Sequence, residues 1–272
     1  MPIALAGRFE VEYGETGAGP AVVLVHSSAS GNRQWRRLAD ELAPRYRLIA
    51  INLFGYGATA PWPGDRPLTL GDAAELVVAV TEPLPEPIAL VGHSLGAAVA
   101  FEAALRLGAR VAKLIAYEPI LFHLLAPHGF TAAATEIRGV ASSYSARTAA
   151  GDWASAGKLF VDYWSGPGAW DDMTDERRHG VTKLLPNVLH EFDAVLEPWR
   201  ALHEWSAIAA PTHLMRAADT RPPTHAIATL LSVANPHWRL HEVATGGHMA
   251  PVARPDLINP LIAQVLDETA DS

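Results

Sequence analysis

The chain has 272 residues, 49% hydrophobic and 18% charged, enough for one sizeable core carrying an inserted segment without a second independent domain. Its net charge of −8, with no cluster of Lys and Arg, argues against a nucleic-acid partner, and the lack of cysteine excludes disulfides, thiolate catalysis and Cys-based metal sites. Residues 1–10 have no basic segment followed by a long apolar run, and no apolar stretch approaches the ~18 residues of a membrane span, so a soluble, cytoplasmic protein with no membrane partner is expected.

Taken in order, residues 9–13 alternate in polarity, which predicts an antiparallel strand at a sheet edge. Apolar, strand-like runs follow at 21–25, 48–53, 88–91, 114–117, 213–215 and 240–243, with helical patterns between most of them. Runs that are apolar throughout are buried on both faces, so the rhythm predicts an α/β fold: a mostly parallel central sheet with helices on both sides.

Gly92-His93-Ser94-Leu95-Gly96 stands between the 88–91 run and an Ala-rich amphipathic stretch, 95–107, that Gly108 ends. This is a G-x-S-x-G pentapeptide in a strand-turn-helix setting, the arrangement of a nucleophile elbow. Gly92, Gly96 and Ala97 are small enough to let strand and helix backbones approach, and the helix start points free N–H groups at any anion forming beside Ser94.

From 120 to 210 the rhythm stops, and roughly ninety residues separate two strands that one crossover helix would connect. The pattern there is helical, with breaks around Pro127-His128-Gly129, Gly166-Pro167-Gly168 and Pro186-Asn187, and predicts several short helices forming a lid over the sheet's carboxyl edge. Trp153, Trp164, Trp170, Trp199 and Trp205 lie in it. They are read as packing for the lid, with one or two lining an apolar pocket.

With these motifs in place the whole chain resembles the α/β-hydrolase superfamily, in the form with a helical cap between strands six and seven. The resemblance rests on the elbow, on Val25-His26-Ser27-Ser28-Ala29-Ser30 after the third strand, on Asn52-Leu53-Phe54-Gly55-Tyr56-Gly57 after the fourth, and on Gly246-Gly247-His248-Met249 after the last. It departs from the usual pattern at Ser27 for Gly, Asn52 for Asp and Thr59 for Ser. It implies a core of residues 1–119 and 211–272, a cap of residues 120–210, Ser94 as nucleophile and His248 as its base. His26 and His93 read as turn and scaffold residues.

Two carboxylates compete to orient His248. Most of the superfamily places an Asp after strand seven, three residues beyond a Gly; counted from the strand, Ala217 takes the Gly position and Thr220 the acid's, which leaves Asp219 one residue short. A minority has its acid at the end of strand six, where Glu118 follows Ser94 by 24 residues. Glu118 is favoured, with Asp219 as the alternative. The backbone N–H groups of Ser28 and Leu95 are expected to form the oxyanion hole.

The expected activity is hydrolysis of an ester, lactone, thioester or related carbonyl in a small, partly apolar molecule, through an acyl-enzyme and without cofactor or metal. The alternative is a different use of the fold: lyase or haloperoxidase-type chemistry, or a ligand receptor with little turnover.

Overall fold

The computed structural model describes residues 1–268. Eight strands form one sheet: β1 (Ile3–Ala6), β2 (Phe9–Thr16), β3 (Ala21–Val25), β4 (Arg47–Ile51), β5 (Ile88–His93), β6 (Val111–Tyr117), β7 (Thr212–Ala217) and β8 (Arg239–Val243). Their order is β1-β2-β4-β3-β5-β6-β7-β8; β1 and β2 run antiparallel to their neighbours, and the rest are parallel. The protein has the α/β-hydrolase fold.

The β3 sequence shows why the apolar runs are continuous. Ala21, Val23 and Val25 pack into the core on one face of the sheet, Val22 and Leu24 into the core on the other, and all five are buried. The second face is covered by α1 (Arg36–Leu42) through Leu38 and Leu42, and by the C-terminal helix Pro255–Asp267 through Ile258 and Ile262. The first face is covered by α2 (Leu70–Thr81) and α3 (Leu95–Leu107), whose Ala97, Ala98 and Ala100 let the helix lie close against the strands.

The helical insert falls between β6 and β7. It holds α4 (Thr131–Ala149), α5 (Trp153–Ser165) and α6 (Asp175–Leu196); α7 (Pro222–Ala234) follows β7, and α8 (Ala250–Ala253) and α9 (Pro255–Asp267) follow β8. Among the described residues no helix is long and apolar enough to cross a membrane.

Three local expectations are corrected. Residues 9–13 are not an edge strand: a tight turn at Gly7-Arg8 brings β1 back onto β2, pairing Ala6 with Phe9, and β1 is the edge. The other edge is β8, where Leu240 is 38% exposed, so the 240–243 run is not buried on both faces. Pro186 and Asn187 do not break the lid. They lie inside the continuous helix α6, where burial of Leu185, Val188, Ala194 and Val195 outweighs the bond that Pro186 cannot donate, and the Tyr144 hydroxyl donates to the Leu185 carbonyl 2.7 Å away.

The loop after β4 is closed by a polar cluster that explains Asn52. Its Nδ2 donates to Glu12 Oε2 at 2.7 Å and its Oδ1 accepts from the Asn32 N–H at 2.8 Å, while Thr59 Oγ1 accepts from the Glu12 N–H and donates to the Asn52 carbonyl. A carboxylate at position 52 would face the buried Glu12 carboxylate without a proton between them. Asn52→Asp is therefore expected to cost about 3 kcal/mol of stability at pH 8 and less at pH 4, where one carboxyl takes up a proton. Chemical denaturation at the two pH values measures this.

Candidate active site

Among the described residues three non-glycine residues have positive φ: Ala29 (55°), Ser94 (58°) and Glu118 (45°). Each follows a strand, β3, β5 or β6, and all three lie at or next to one site at the carboxyl ends of these strands. Strained backbone gathered in this way marks a place where position matters more than conformational cost.

Ser94 sits between β5 and α3 with φ 58° and ψ −119°, and its amide donates to the Tyr117 carbonyl at 2.9 Å. The turn is tight enough that a Cβ on Gly92 would lie 2.5 Å from the Gly96 carbonyl oxygen, and one on Gly96 2.2 Å from that of Val25. The two glycines of the pentapeptide are thus required by close approach of backbones.

Ser94 Oγ lies 2.8 Å from His248 Nε2, and His248 Nδ1 lies 2.7 Å from Glu118 Oε2. Because the carboxylate can only accept, Nδ1–H donates to Glu118 and Nε2 is left to accept the serine proton. All three residues are buried. Glu118 also accepts from the Ala217 N–H at 2.9 Å through Oε1 and from the Thr220 hydroxyl at 2.6 Å through Oε2. Its position is fixed by its own amide, which donates to the Met215 carbonyl at 2.8 Å.

Asp219 is elsewhere. It is exposed, and its carboxylate accepts from the Thr245 hydroxyl and the Gly246 and Gly247 amides, which pins the turn before His248. Thr220, at the position where most of the superfamily places its acid, turns inward and supports Glu118 instead.

The loop after β3 approaches Ser94 from the other side. Ser27 N–H donates to Gln34 Oε1 and Ala29 N–H to the Tyr56 hydroxyl, whereas the amides of Ser28 and Leu95 donate to no atom among the described residues. Both amides are thus free to donate to an anion. The Ser27 hydroxyl, in place of the usual Gly, is absorbed by Gln34 Oε1 and Ser30 Oγ at 2.8 and 2.9 Å.

Gln34 also donates through Nε2 to His93 Nδ1 at 3.1 Å, and His93 Nε2–H donates to the His248 carbonyl at 2.8 Å. Two side chains in series, Gln34 and His93, thus tie the loop to the backbone of His248. Burial, then the neighbouring His248, holds His93 well below the usual histidine range, so it stays neutral. Burial likewise lowers His26 to about 4, and its ring joins the Ser27 carbonyl to the Leu53 amide. Gln34 lies sixty residues before the elbow and in no motif, and sequence reasoning missed it.

A narrow cavity adjoins Ser94 and His248. Its walls are mainly apolar, with Ile120 and Phe122 from the start of the insert, Trp164 from α5, and Phe192 and Val195 from α6. The Trp164 ring lies 4.2 Å from the His248 ring between centroids. Of the other lid tryptophans, Trp170 and Trp205 are buried in packing and Trp199 is 41% exposed. The cavity also contains Glu191 of α6, whose Oε1 accepts from the Tyr56 hydroxyl at 2.7 Å. Burial pushes this carboxyl up to about 7, and the Ser28 and Tyr56 hydroxyls draw it partly back.

Residues 22–261 match the family model described as alpha/beta hydrolase family. The chain belongs to the alpha/beta hydrolase family.

Its relatives within the family are distant. It is 24% identical over 271 residues to a putative carbamate hydrolase of Pantoea ananatis, covering 94% of this chain and 92% of that one. It is 34% identical over 99 residues to a pimeloyl-[acyl-carrier protein] methyl ester esterase of Aliivibrio salmonicida, but that match spans only 36% of either chain. Among solved structures, an alpha/beta hydrolase from a Medee basin deep-sea metagenome aligns with TM-score 0.83 at 13% identity, covering 100% of this chain and 99% of the other. An esterase from Exiguobacterium antarcticum aligns with TM-score 0.80 at 17% identity, covering 98% and 99%. At such identities the structural matches speak for the fold. A further relative is a 2-hydroxy-6-oxo-2,4-heptadienoate hydrolase of Pseudomonas putida, 34% identical over 121 residues and matched over 42% of either chain.

Proposed function

We propose that the protein is a serine hydrolase of small, partly apolar ester-like compounds, with Ser94, His248 and Glu118 as its catalytic triad. The observation that carries this reading is the unbroken hydrogen-bonded line from Ser94 Oγ through the His248 ring to Glu118, built on a strained elbow beside an apolar cavity.

Substrate enters between the lid, residues 120–210, and the sheet. Ser94 Oγ attacks the carbonyl carbon while His248 Nε2 takes its proton, and the buried Glu118 carboxylate stabilises the imidazolium. The oxyanion is held by the Ser28 and Leu95 amides. As the tetrahedral intermediate collapses, His248 gives its proton to the departing alcohol and leaves an acyl group on Ser94. Water then loses a proton to His248, attacks the acyl carbon and releases the carboxylic acid and free Ser94. Every proton passes through His248, so the cycle calls for no cofactor.

The names of relatives, methyl ester esterase and enol-lactonase among them, fit substrates of this kind. The test is a time course of p-nitrophenyl acetate and p-nitrophenyl hexanoate cleavage. Wild type is expected to turn over steadily and Ser94→Ala to lose ~10⁴-fold or more. Release of a single equivalent without further turnover would instead support a ligand receptor.

A further inference from the structure

We propose that Glu191 selects substrates carrying a hydrogen-bond donor, a hydroxyl or an ammonium, on the acyl chain. This rests on the hydrolase reading above and concerns the recognition half of the same site.

Glu191 projects from α6 and is 5% exposed. Its two oxygens differ. Oε1 accepts from the Tyr56 hydroxyl, which in turn accepts from the Ala29 amide at 2.7 Å, so this oxygen joins lid helix to oxyanion loop. Oε2 is buried and has no hydrogen-bond partner among the described residues, while the Ser28 hydroxyl stands close enough to the carboxyl to hold its pKa down. A carboxyl serving only to fasten the lid has no use for a second buried acceptor, and a glutamine would fasten it as well.

The surroundings specify what Oε2 would receive. Among the residues lining the cavity, Glu191 is the only carboxyl, Lys and Arg are absent, and Phe122, Phe160, Trp164 and Phe192 present aromatic surface. Such walls accept a cation or a neutral donor and leave a substrate carboxylate without a counter-charge. Glu191 also lines a second, mainly apolar cavity beside Trp62, so the carboxyl stands between two apolar spaces.

The test compares kcat/KM for four methyl esters of similar length: butyrate, 3-hydroxybutyrate, 3-aminobutyrate and monomethyl succinate. In wild type the hydroxy ester, the amino ester or both are expected to exceed butyrate by about tenfold or more, with the succinate below it. Glu191→Leu is expected to bring the three ratios to butyrate toward one. Glu191→Gln keeps an acceptor for Tyr56, turns an amide donor toward the cavity and should abolish an ammonium preference in a folded protein. Preference for the amino ester alone identifies charge as what is read, and preference for the hydroxy ester alone identifies a neutral donor. Ratios unchanged in Glu191→Leu and Glu191→Gln would overturn the proposal.

If wild type does not hydrolyse methyl butyrate or the p-nitrophenyl esters, the hydrolase reading has failed separately. Calorimetric binding of n-butylammonium and 1-butanol then takes over: tighter binding of either to wild type than to Glu191→Leu supports the role, and equal binding overturns it.

Discussion

Glu118→Gln is expected to lower ester turnover by about 10³- to 10⁴-fold, with Asp219→Asn within about twofold of wild type. All three side-chain contacts of Glu118 come from donors: the Ala217 amide, the Thr220 hydroxyl and His248 Nδ1–H. A glutamine presents one oxygen and one NH₂ group, so at least one donor meets another donor. If Oε1 keeps the Ala217 amide, the NH₂ faces His248 and favours the tautomer with its proton on Nε2, which cannot accept from Ser94. Asp219 holds the 245–247 turn from the outside through contacts that one asparagine oxygen can largely keep. Steady-state kinetics on both variants decide the matter, and the opposite pattern would move the acid to Asp219.

Gly96→Ala is expected to destabilise the protein by about 3 kcal/mol or more, a fall in melting temperature of roughly 6–12 °C, and to remove most of the activity. The added Cβ would stand 2.2 Å from the Val25 carbonyl oxygen and 2.5 Å from that of His26, both backbone atoms that no rotamer change can move. Relief requires α3 to lift away from β3, which displaces Ser94 and the loop opposite it together. Gly139→Ala provides the contrast. Gly139 is exposed within α4, nothing lies within 4 Å of its added Cβ, and alanine there is expected to stabilise by about 0.5–1 kcal/mol. Thermal melts of the two variants check both signs.

The elbow could be read in the sequence because strand, turn and helix are contiguous: β5, Ser94 and α3 occupy residues 88–107, and Gly92 is required by packing within that span, Gly96 by packing against the end of β3. The acid could not be fixed in this way. Glu118 and Asp219 are separated by the whole insert, and the choice depends on the register of β6 against β7, Tyr117 beside Met215, which places Thr220 rather than Asp219 toward Glu118. Gln34, Tyr56 and Glu191 were hidden because each acts across long stretches of chain: Gln34 on His93, and Tyr56 on Glu191. Pro186 misled because a local rule about helices yielded to burial along α6. The short strand β1 went unnoticed because two of its four residues, Ile3 and Leu5, are apolar yet exposed, giving no buried stripe.

The central claim is that Ser94 carries the acyl group. It is tested by acid-quenching wild type during steady-state turnover of p-nitrophenyl hexanoate and mapping the bound hexanoyl group by peptide mass spectrometry. The account predicts hexanoyl on the peptide containing Ser94, absent in Ser94→Ala. Hexanoyl on another residue, or full turnover retained by Ser94→Ala, would contradict it.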